Sequence, residues 1–260
     1  MQDPWLGRFF TIDRFAEKYY DFTPYQYGAN SPINFIDING DSLWIQINKN
    51  NKALYVDGNL YNRDGTEYTG KGTKVDKNGN RKLKGFLKTT VANLDQASSK
   101  KEGNALVDGL QDSKEHFTIV KGYGGNSYDP KTNEITFDPS STTGGLNTSG
   151  STSRPTFIGL THEMAHAFDD SRPGPIDLTP VGTTNQAEIF ASHKENQIRS
   201  EHNLPLRVQY NKGTPIIDSF GNSIYYNTNY NDGYYKLNLQ RKPIRNLVPA
   251  VTIPPIKKIK

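Results

Sequence analysis

The segment His162-Glu163-Met164-Ala165-His166 constrains this chain more than any other, because it predicts both a local conformation and a chemistry. Apolar residues recur at helical spacing through it, at Phe157, Ile158, Leu160, Met164, Ala165 and Phe168. Pro155 suits the first turn of such a helix, and Ser153 is a candidate N-cap. The two histidines then lie one helical turn apart, so both imidazoles face the same side of the helix.

Two imidazoles on one side of a helix can share a zinc ion, and Glu163 between them is placed to take a proton from water. Zinc lowers the pKa of a water ligand toward ~7 and polarises a carbonyl group. The chain contains no cysteine, so any zinc must be held by histidine and carboxylate. The sequence therefore predicts a Zn²⁺ site with His162 and His166 as ligands and Glu163 as the catalytic base.

A third protein ligand is expected on a second helix, from about Asn185 to Glu201, whose candidates are Glu188, His193 and Glu195. Glu188 opens the segment Glu188-Ile189-Phe190-Ala191. Its Glu-x-x-Ala form is used by many His-Glu-x-x-His enzymes whose third ligand is glutamate. We therefore expect Glu188 to complete the metal site.

Glu195 and Arg199 share the helix face that carries Glu188, since they follow it at helical spacing. Glu195 is therefore a candidate for orienting a metal ligand from behind, with Arg199 as its ionic partner. A solvated salt bridge between the two is an equally good interpretation.

Tyr210 is the nearest tyrosine after the second helix and is a candidate donor to a transition-state oxyanion. The chain has 15 tyrosines, so ordinary packing is the alternative for this one. His116, His193 and His202 show no metal-ligand spacing, and we expect all three to be surface histidines.

Composition favours an irregular α+β fold, because 33% hydrophobic residues accompany 23 glycines and 15 prolines. Strands are expected at 43–47, 53–56, 117–120 and 134–137, helices at 86–99 and 102–110, and a long loop at 140–153. The net charge of +4 is spread along the chain. The lysines between Lys71 and Lys88 accompany no nuclease constellation, so we expect no nucleic-acid partner. No apolar stretch suits membrane insertion.

The first 41 residues carry a dense set of aromatic and turn motifs. These include Asp3-Pro4-Trp5-Leu6-Gly7-Arg8-Phe9, Pro24-Tyr25-Gln26-Tyr27, Asn30-Ser31-Pro32-Ile33 and the closing Asp37-Ile38-Asn39-Gly40. This segment resembles the C-terminal end of the core domain of Rhs/YD-repeat proteins. That family usually has proline after the last aspartate, where this chain has Ile38, so the resemblance leaves open whether this junction cleaves itself. The resemblance implies that a variable effector domain follows, inside a β-rich shell formed by the upstream polypeptide.

Residues from about 80 to 210 resemble the effector-type zincins, which are secreted bacterial metallopeptidases delivered into other cells. The likeness rests on the loop before Pro155, the His162–His166 helix and the tract from Ala187 to Tyr210. It implies a minimal zincin-like fold, with a small mixed sheet, an active-site helix and a second ligand-bearing helix. It also implies a protein or peptide substrate, secretion or delivery into a target cell as part of a larger polypeptide, and an immunity protein as a candidate partner.

We therefore expect a β-rich Rhs-core remnant at 1–41 and a metallopeptidase effector domain at 42–260. The latter divides into a β-meander at 42–80, a catalytic core at 81–210 and a C-terminal extension at 211–260. The leading functional hypothesis is a zinc endopeptidase acting as a toxin. A non-catalytic binding module stabilised by zinc is the alternative, and a nuclease-type payload is a third hypothesis.

Overall fold

The computed structural model describes residues 2–3, 8–9, 42–78, 80–113, 115–210 and 214–217. In the expected Rhs-core segment it describes two short antiparallel strands, β1 (Gln2–Asp3) and β2 (Arg8–Phe9). The other residues of the segment 1–41 lie outside the described part, and so does most of the C-terminal extension 211–260. The predictions for these two segments therefore remain predictions.

The remaining elements form groups of strands separated by helices along the chain. In order they are β3 (Ser42–Asn48), β4 (Asn51–Val56), β5 (Asn59–Tyr61), β6 (Thr73–Val75), β7 (Arg81–Leu83), α1 (Gly85–Ser98), α2 (Lys101–Gln111), β8 (His116–Lys121), β9 (Ser127–Asp129), β10 (Glu134–Phe137), α3 (Thr156–Asp170), β11 (Pro180–Val181), β12 (Thr184–Asn185), α4 (Gln186–Glu201), β13 (Gln209–Tyr210) and β14 (Thr214–Pro215). The described chain is thus a mixed α and β protein with four helices, which agrees with the expected α+β class.

The central sheet has six strands in the order β5-β4-β3-β8-β10-β9. β3, β4 and β5 form an antiparallel meander, whereas β8 runs parallel to β3 and β10 runs parallel to β8. A parallel neighbour requires a crossover, and α1 with α2 supplies it between the meander and β8. Leu43 and Ile45 alternate with less buried residues along β3, so one face of this strand packs into the core.

Two glycines in α2 allow the helices to approach closely. A Cβ atom on Gly103 would lie 2.0 Å from the carbonyl oxygen of Ala97 in α1. A Cβ atom on Gly109 would lie 2.4 Å from the ring of Phe168 in α3. These glycines lower the helix propensity of α2, but their contacts explain why the helix contains them.

Helix α3 begins two residues later than the sequence suggests. Pro155 has extended backbone angles and occupies the N-cap position, and Thr156 is the first helical residue. No side chain caps this end, so the expectation that Ser153 is the N-cap is wrong. The apolar residues Phe157, Ile158, Leu160, Met164 and Ala165 are all buried.

Helix α4, which corresponds to the helix expected from about Asn185 to Glu201, has many polar residues and yet is almost entirely buried. Its buried residues include Gln186, Ser192, His193, Lys194, Glu195, Asn196, Gln197 and Arg199. His193 is only 6% exposed, so its expected surface position is wrong. His202 is half-buried against the ring of Phe157, at 4.8 Å between ring centroids, whereas His116 is exposed as expected. Packing around α4 from more than one side overrides the polarity that suggested a solvent face.

Among the described residues, no helix is both long and apolar enough to cross a lipid bilayer.

Candidate metal centre

Three of the expected metal ligands converge at one point between α3 and α4. His162 Nε2 and His166 Nε2 each lie 3.3 Å from the same oxygen, Oε2 of Glu188. The three candidate ligand atoms all lie within 4.8 Å of one another. The two imidazole rings meet edge to face, with 5.1 Å between their centroids. The i, i+4 spacing therefore places both rings on the same side of α3, as predicted, and both face α4.

The spacing of these atoms suits a zinc ion. Zinc binds histidine nitrogen and carboxylate oxygen at about 2.0–2.2 Å in tetrahedral geometry, which places neighbouring ligand atoms about 3.3–3.5 Å apart. Both nitrogen-to-oxygen distances in this cluster are 3.3 Å, at the lower end of that range. Two histidines and one glutamate also form a donor set found in catalytic zinc sites, where a fourth position stays open. His162, His166 and Glu188 are therefore the residues that could hold the metal.

Glu188 is held in place by the start of its own helix. Asn185 caps α4, and its Oδ1 accepts a hydrogen bond from the backbone N–H of Glu188 at 3.0 Å. The short hairpin of β11 and β12 leads directly into this cap. Burial raises the pKa of the Glu188 carboxyl, but hydrogen bonds from His162 and His166 outweigh burial and hold that pKa well below its usual range. The carboxylate is therefore ionised and ready to act as a ligand.

Behind His162 lies a second, fully buried carboxylate, Glu195. Its Oε2 lies 3.0 Å from His162 Nδ1 and its Oε1 accepts a hydrogen bond from Arg199 Nε at 2.7 Å. Glu195 is 0% exposed and Arg199 is 1% exposed, which excludes the solvated salt bridge considered above. Because an ionised carboxylate only accepts, His162 Nδ1 donates and Nε2 is left to face Glu188. Glu195 thus contacts the opposite side of the ring from the candidate metal position.

Arg207 is a member of this network that sequence reasoning missed. Its Nη1 donates to Glu195 Oε2 at 3.1 Å, and its guanidinium lies 4.7 Å from the centroid of the Tyr210 ring. Asn196 fixes the Arg207 backbone through two hydrogen bonds, of 2.8 and 2.9 Å. A Cβ atom on Gly145 would lie 2.3 Å from Arg207 Nε, so the glycine makes room for the guanidinium. The only sequence signal for this arrangement is the Gly144-Gly145 pair in a long loop.

The electrostatics of Glu195 follow from these contacts. Burial raises the pKa of its carboxyl, but His162, Arg207 and Arg199 together outweigh burial and hold the pKa well below its usual range. Burial also lowers the pKa of His162, whereas hydrogen bonds to Glu188 and Glu195 more than compensate and raise that pKa to about 9. Without a metal ion, the His162 ring is therefore protonated on both nitrogens at neutral pH, and a metal ion would displace the proton on Nε2.

Tyr210 lies at the same centre. Burial and the adjacent Glu188 carboxylate raise the pKa of the Tyr210 phenol to about 12, and the charge of Glu163 acts in the same direction. The phenol therefore keeps its proton at any working pH and can donate a hydrogen bond. The structure places Tyr210 beside a candidate ligand and near the candidate base.

Glu163 is 9% exposed and lies on α3 between the two histidines. Within the described part of the chain, its carboxylate makes no hydrogen bond or ion pair. A carboxylate that is nearly buried, free of such partners and adjacent to a metal position can accept a proton from a bound water molecule. The structure therefore brings together His162, Glu163, His166, Glu188, Glu195, Arg199 and Tyr210, whereas His193, another candidate for the third ligand, is not part of the cluster.

Comparison with known families adds one match. Residues 72–185 match the model of peptidase family M91, which is described as "Effector protein". The matched region contains the whole His162–His166 segment and ends before Glu188, so it includes α1, α2, β8 to β10 and α3. This similarity supports an effector domain of peptidase type. Searches of curated proteins and of solved structures give no significant match.

Proposed function

We propose that the chain is a zinc-dependent endopeptidase that acts as the toxin or effector payload of an Rhs-type secreted protein. The observation that carries this proposal is the convergence of His162, His166 and Glu188 on one point with Glu163 beside it. The peptidase-type match over residues 72–185 supports the same conclusion. The zincin-like fold and the boundaries at 1–41 and 42–260 are parts of this proposal.

A bound zinc ion would polarise the scissile carbonyl and acidify a water molecule at the open position. The Oε atoms of Glu163 then accept the proton from the attacking water and later return it to the nitrogen of the leaving amine. Glu195 holds His162 in one ring orientation through Nδ1, and Arg199 holds Glu195. The Tyr210 hydroxyl donates a hydrogen bond to the oxygen that becomes negative in the transition state.

The Rhs-type context rests on the motifs of residues 1–41, which lie mostly outside the described part. Under this proposal the upstream polypeptide forms a shell, the chain is secreted or delivered into a target cell, and proteins of that cell are cleaved. The description of the matched family as an effector is compatible with delivery into a host. An immunity protein is the partner that a producing cell would need.

The test compares wild type with Glu163→Gln, which keeps the size of the side chain and removes the base. Each variant is loaded with zinc and incubated with a library of proteome-derived peptides, and new termini are counted by mass spectrometry. We expect cleavage by wild type and at least a hundredfold loss in Glu163→Gln, with zinc still bound. Undiminished cleavage in Glu163→Gln would contradict the assigned base.

The alternative of a non-catalytic binding module has one feature in its favour, because a His-His-Glu cluster could also stabilise the fold. It predicts zinc binding without cleavage by wild type, and equal toxicity of wild type and Glu163→Gln when expressed in a bacterial cell. The nuclease hypothesis has less support, since no nuclease constellation accompanies the exposed lysines between Lys71 and Lys88 and the family match is of peptidase type.

A further inference from the structure

The guanidinium of Arg154 lies on the face of α3 that carries Glu163. The position of a Cβ atom on Gly159 would be 3.0 Å from both Cζ and Nη2 of Arg154. Gly159 lies one helical turn before Glu163, and helical side chains lean toward the N-terminus, so the Glu163 side chain leans toward this position. Arg154 is therefore a cation beside the candidate base, and no sequence motif pointed to it.

The side chain of Arg154 occupies a slot formed by two glycines. A Cβ atom on Gly144 would lie 2.8 Å from Arg154 Cδ, and the Gly159 position touches the other end of the side chain. The backbone N–H of Arg154 donates to the carbonyl oxygen of Thr142 at 2.7 Å, which anchors the residue to the long loop. A larger residue at Gly144 or Gly159 would collide with the Arg154 side chain, so both glycines leave room for the guanidinium to lie here.

The charge of Arg154 is only partly compensated, because no carboxylate among the described residues forms an ion pair with it. Burial lowers its pKa most strongly; Glu195 and Glu163 act against that effect, whereas Arg207 and Arg199 reinforce it. Within the described residues the side chain makes no hydrogen bond or salt bridge, and its Nε is buried without a partner. A largely buried cation in this condition is costly, so the site favours an incoming anion.

Asn126 provides a second donor at the same place. Its Oδ1 accepts a hydrogen bond from the backbone N–H of Asp138 at 2.8 Å, which fixes the orientation of the amide. Its Nδ2 lies 2.4 Å from the Cβ position of Gly159 and has no hydrogen-bond partner in the described part of the chain. The guanidinium fork of Arg154 and this amide nitrogen therefore face one small region next to α3.

We propose that Arg154, with Asn126 beside it, binds a carboxylate of the peptide substrate close to the scissile bond, so that the enzyme prefers an acidic residue there. This inference rests on the proposed peptidase function and names its substrate class. The planar guanidinium matches a carboxylate bidentately, and its incompletely compensated charge favours a carboxylate over a neutral carbonyl. The carboxylate belongs either to an Asp or Glu side chain or to a free C-terminus.

The first test uses synthetic peptides based on a sequence that wild type cleaves. Each peptide is made with Glu and with Gln at every position flanking the cleaved bond, and with a free and an amidated C-terminus. We expect kcat/KM to be about tenfold or more higher for Glu than for Gln at one position, as one charge-assisted hydrogen-bond pair provides. A preference that follows the free C-terminus instead would assign the carboxylate to the chain end.

The same peptides are then given to Arg154→Gln and Arg154→Lys, with Arg63→Gln as the control that removes one exposed positive charge elsewhere. We expect the Glu-to-Gln ratio to fall to about one in Arg154→Gln and to keep its wild-type value in Arg63→Gln. An intermediate ratio is expected in Arg154→Lys, which retains the charge without the fork. A wild-type enzyme that cleaves both peptide series equally overturns this inference and leaves the proposed function standing.

A second test measures binding directly and does not depend on cleavage. The Nε–H resonances of ¹⁵N-arginine-labelled wild type are followed during titration with N-acetylglutamate and with N-acetylglutamine amide, which carries no carboxylate, and the Arg154 signal is assigned from its loss in Arg154→Lys. We expect that signal to shift with N-acetylglutamate alone. No shift, or the same shift with both compounds, overturns the inference even if wild type proves to have no peptidase activity.

Discussion

The buried carboxylate of Glu195 lies 3.0 Å from Nδ1 of His162, on the side of the ring opposite the candidate metal position. It also accepts hydrogen bonds from Arg199 and Arg207, so one carboxylate connects a candidate ligand to two buried guanidinium groups. This contact makes Glu195 the residue that sets both the tautomer and the orientation of His162.

Replacing Glu195 with glutamine keeps its shape and removes its charge. We expect Glu195→Gln to weaken zinc affinity by about 10–100-fold, since a partner that orients a histidine ligand is lost. The free energy of unfolding should also fall, by about 3 kcal/mol, because two buried arginines lose their counter-charge. Chelator competition and urea unfolding measure the two effects.

The matched control for Glu195→Gln is Glu115→Gln, which alters an exposed carboxylate. We expect it to change neither zinc affinity nor stability by more than about 0.5 kcal/mol. Equal zinc affinity in Glu195→Gln and wild type would show that the buried carboxylate does not support the ligand.

Tyr210 is expected to act on the reaction more than on the metal. Its phenol keeps its proton, because burial and Glu188 raise its pKa to about 12. Tyr210→Phe should therefore lower kcat by about 10–1000-fold, as removal of an oxyanion donor does elsewhere. Zinc content, measured by mass spectrometry, should stay at the wild-type value. A Tyr210→Phe enzyme with wild-type kcat would reduce the residue to a packing role.

His193 predicts how stability depends on pH. Burial, with a smaller contribution from Lys194, lowers its pKa from 6.5 to about 4. The unfolded chain therefore takes up this proton first as pH falls, and the free energy of unfolding decreases between pH 6.5 and about 4, by at most about 1.4 kcal/mol per pH unit. His193→Gln should be less sensitive to pH in this window.

Two other buried groups do not disturb that measurement. The raised pKa of His162 gives a stabilisation that is complete below pH 6.5 and is lost only above it, toward pH 9. The lowered pKa of Glu188 gives a stabilisation that is lost only below the usual glutamate range. Urea unfolding near pH 6 and pH 5, in the presence of a chelator, lies below the range in which His162 contributes a change and therefore isolates His193. An identical decrease in wild type and His193→Gln would contradict the assignment.

Gly103 tests the close contact between α1 and α2. On helix propensity alone, Gly103→Ala should stabilise the protein by about 1 kcal/mol. The structure predicts the opposite sign, a loss of about 1–3 kcal/mol, because the new Cβ would meet the Ala97 carbonyl oxygen at 2.0 Å. Thermal unfolding decides between them, with Asn104→Ala at the next, exposed position as the near-neutral control. Stabilisation in Gly103→Ala would show that the helices can separate at little cost.

The residues that sequence analysis could identify are those fixed by local periodicity. His162, Glu163 and His166 lie on one helix, and Glu188 follows from a short motif at the start of the next, where Asn185 caps the helix. Glu195 lies on the same face of α4 as Glu188, so the sequence could predict that it lies near the metal ligands. Its burial was not, because helix spacing reveals which side chains share a face but not what covers that face.

Contacts between distant segments left little trace in the sequence. Arg207 and Arg154 lie outside the helices, and each reaches the centre only because a glycine in the 140–153 loop makes room for it. Four of the strands, β3, β4, β8 and β10, followed from their apolar residues. The parallel pairing of β3 with β8 did not, because it depends on α1 and α2 crossing over between them. The burial of His193 was missed for a similar reason, since the polar residues of α4 do not reveal which other segments cover them.

The most direct test of the metal centre is the zinc content of the purified chain, measured by inductively coupled plasma mass spectrometry beside Glu188→Ala and His193→Gln. We expect one zinc ion per chain in wild type, none in Glu188→Ala and one in His193→Gln. Zinc retained at full occupancy in Glu188→Ala, or absent from wild type after supplementation, would contradict the site formed by His162, His166 and Glu188.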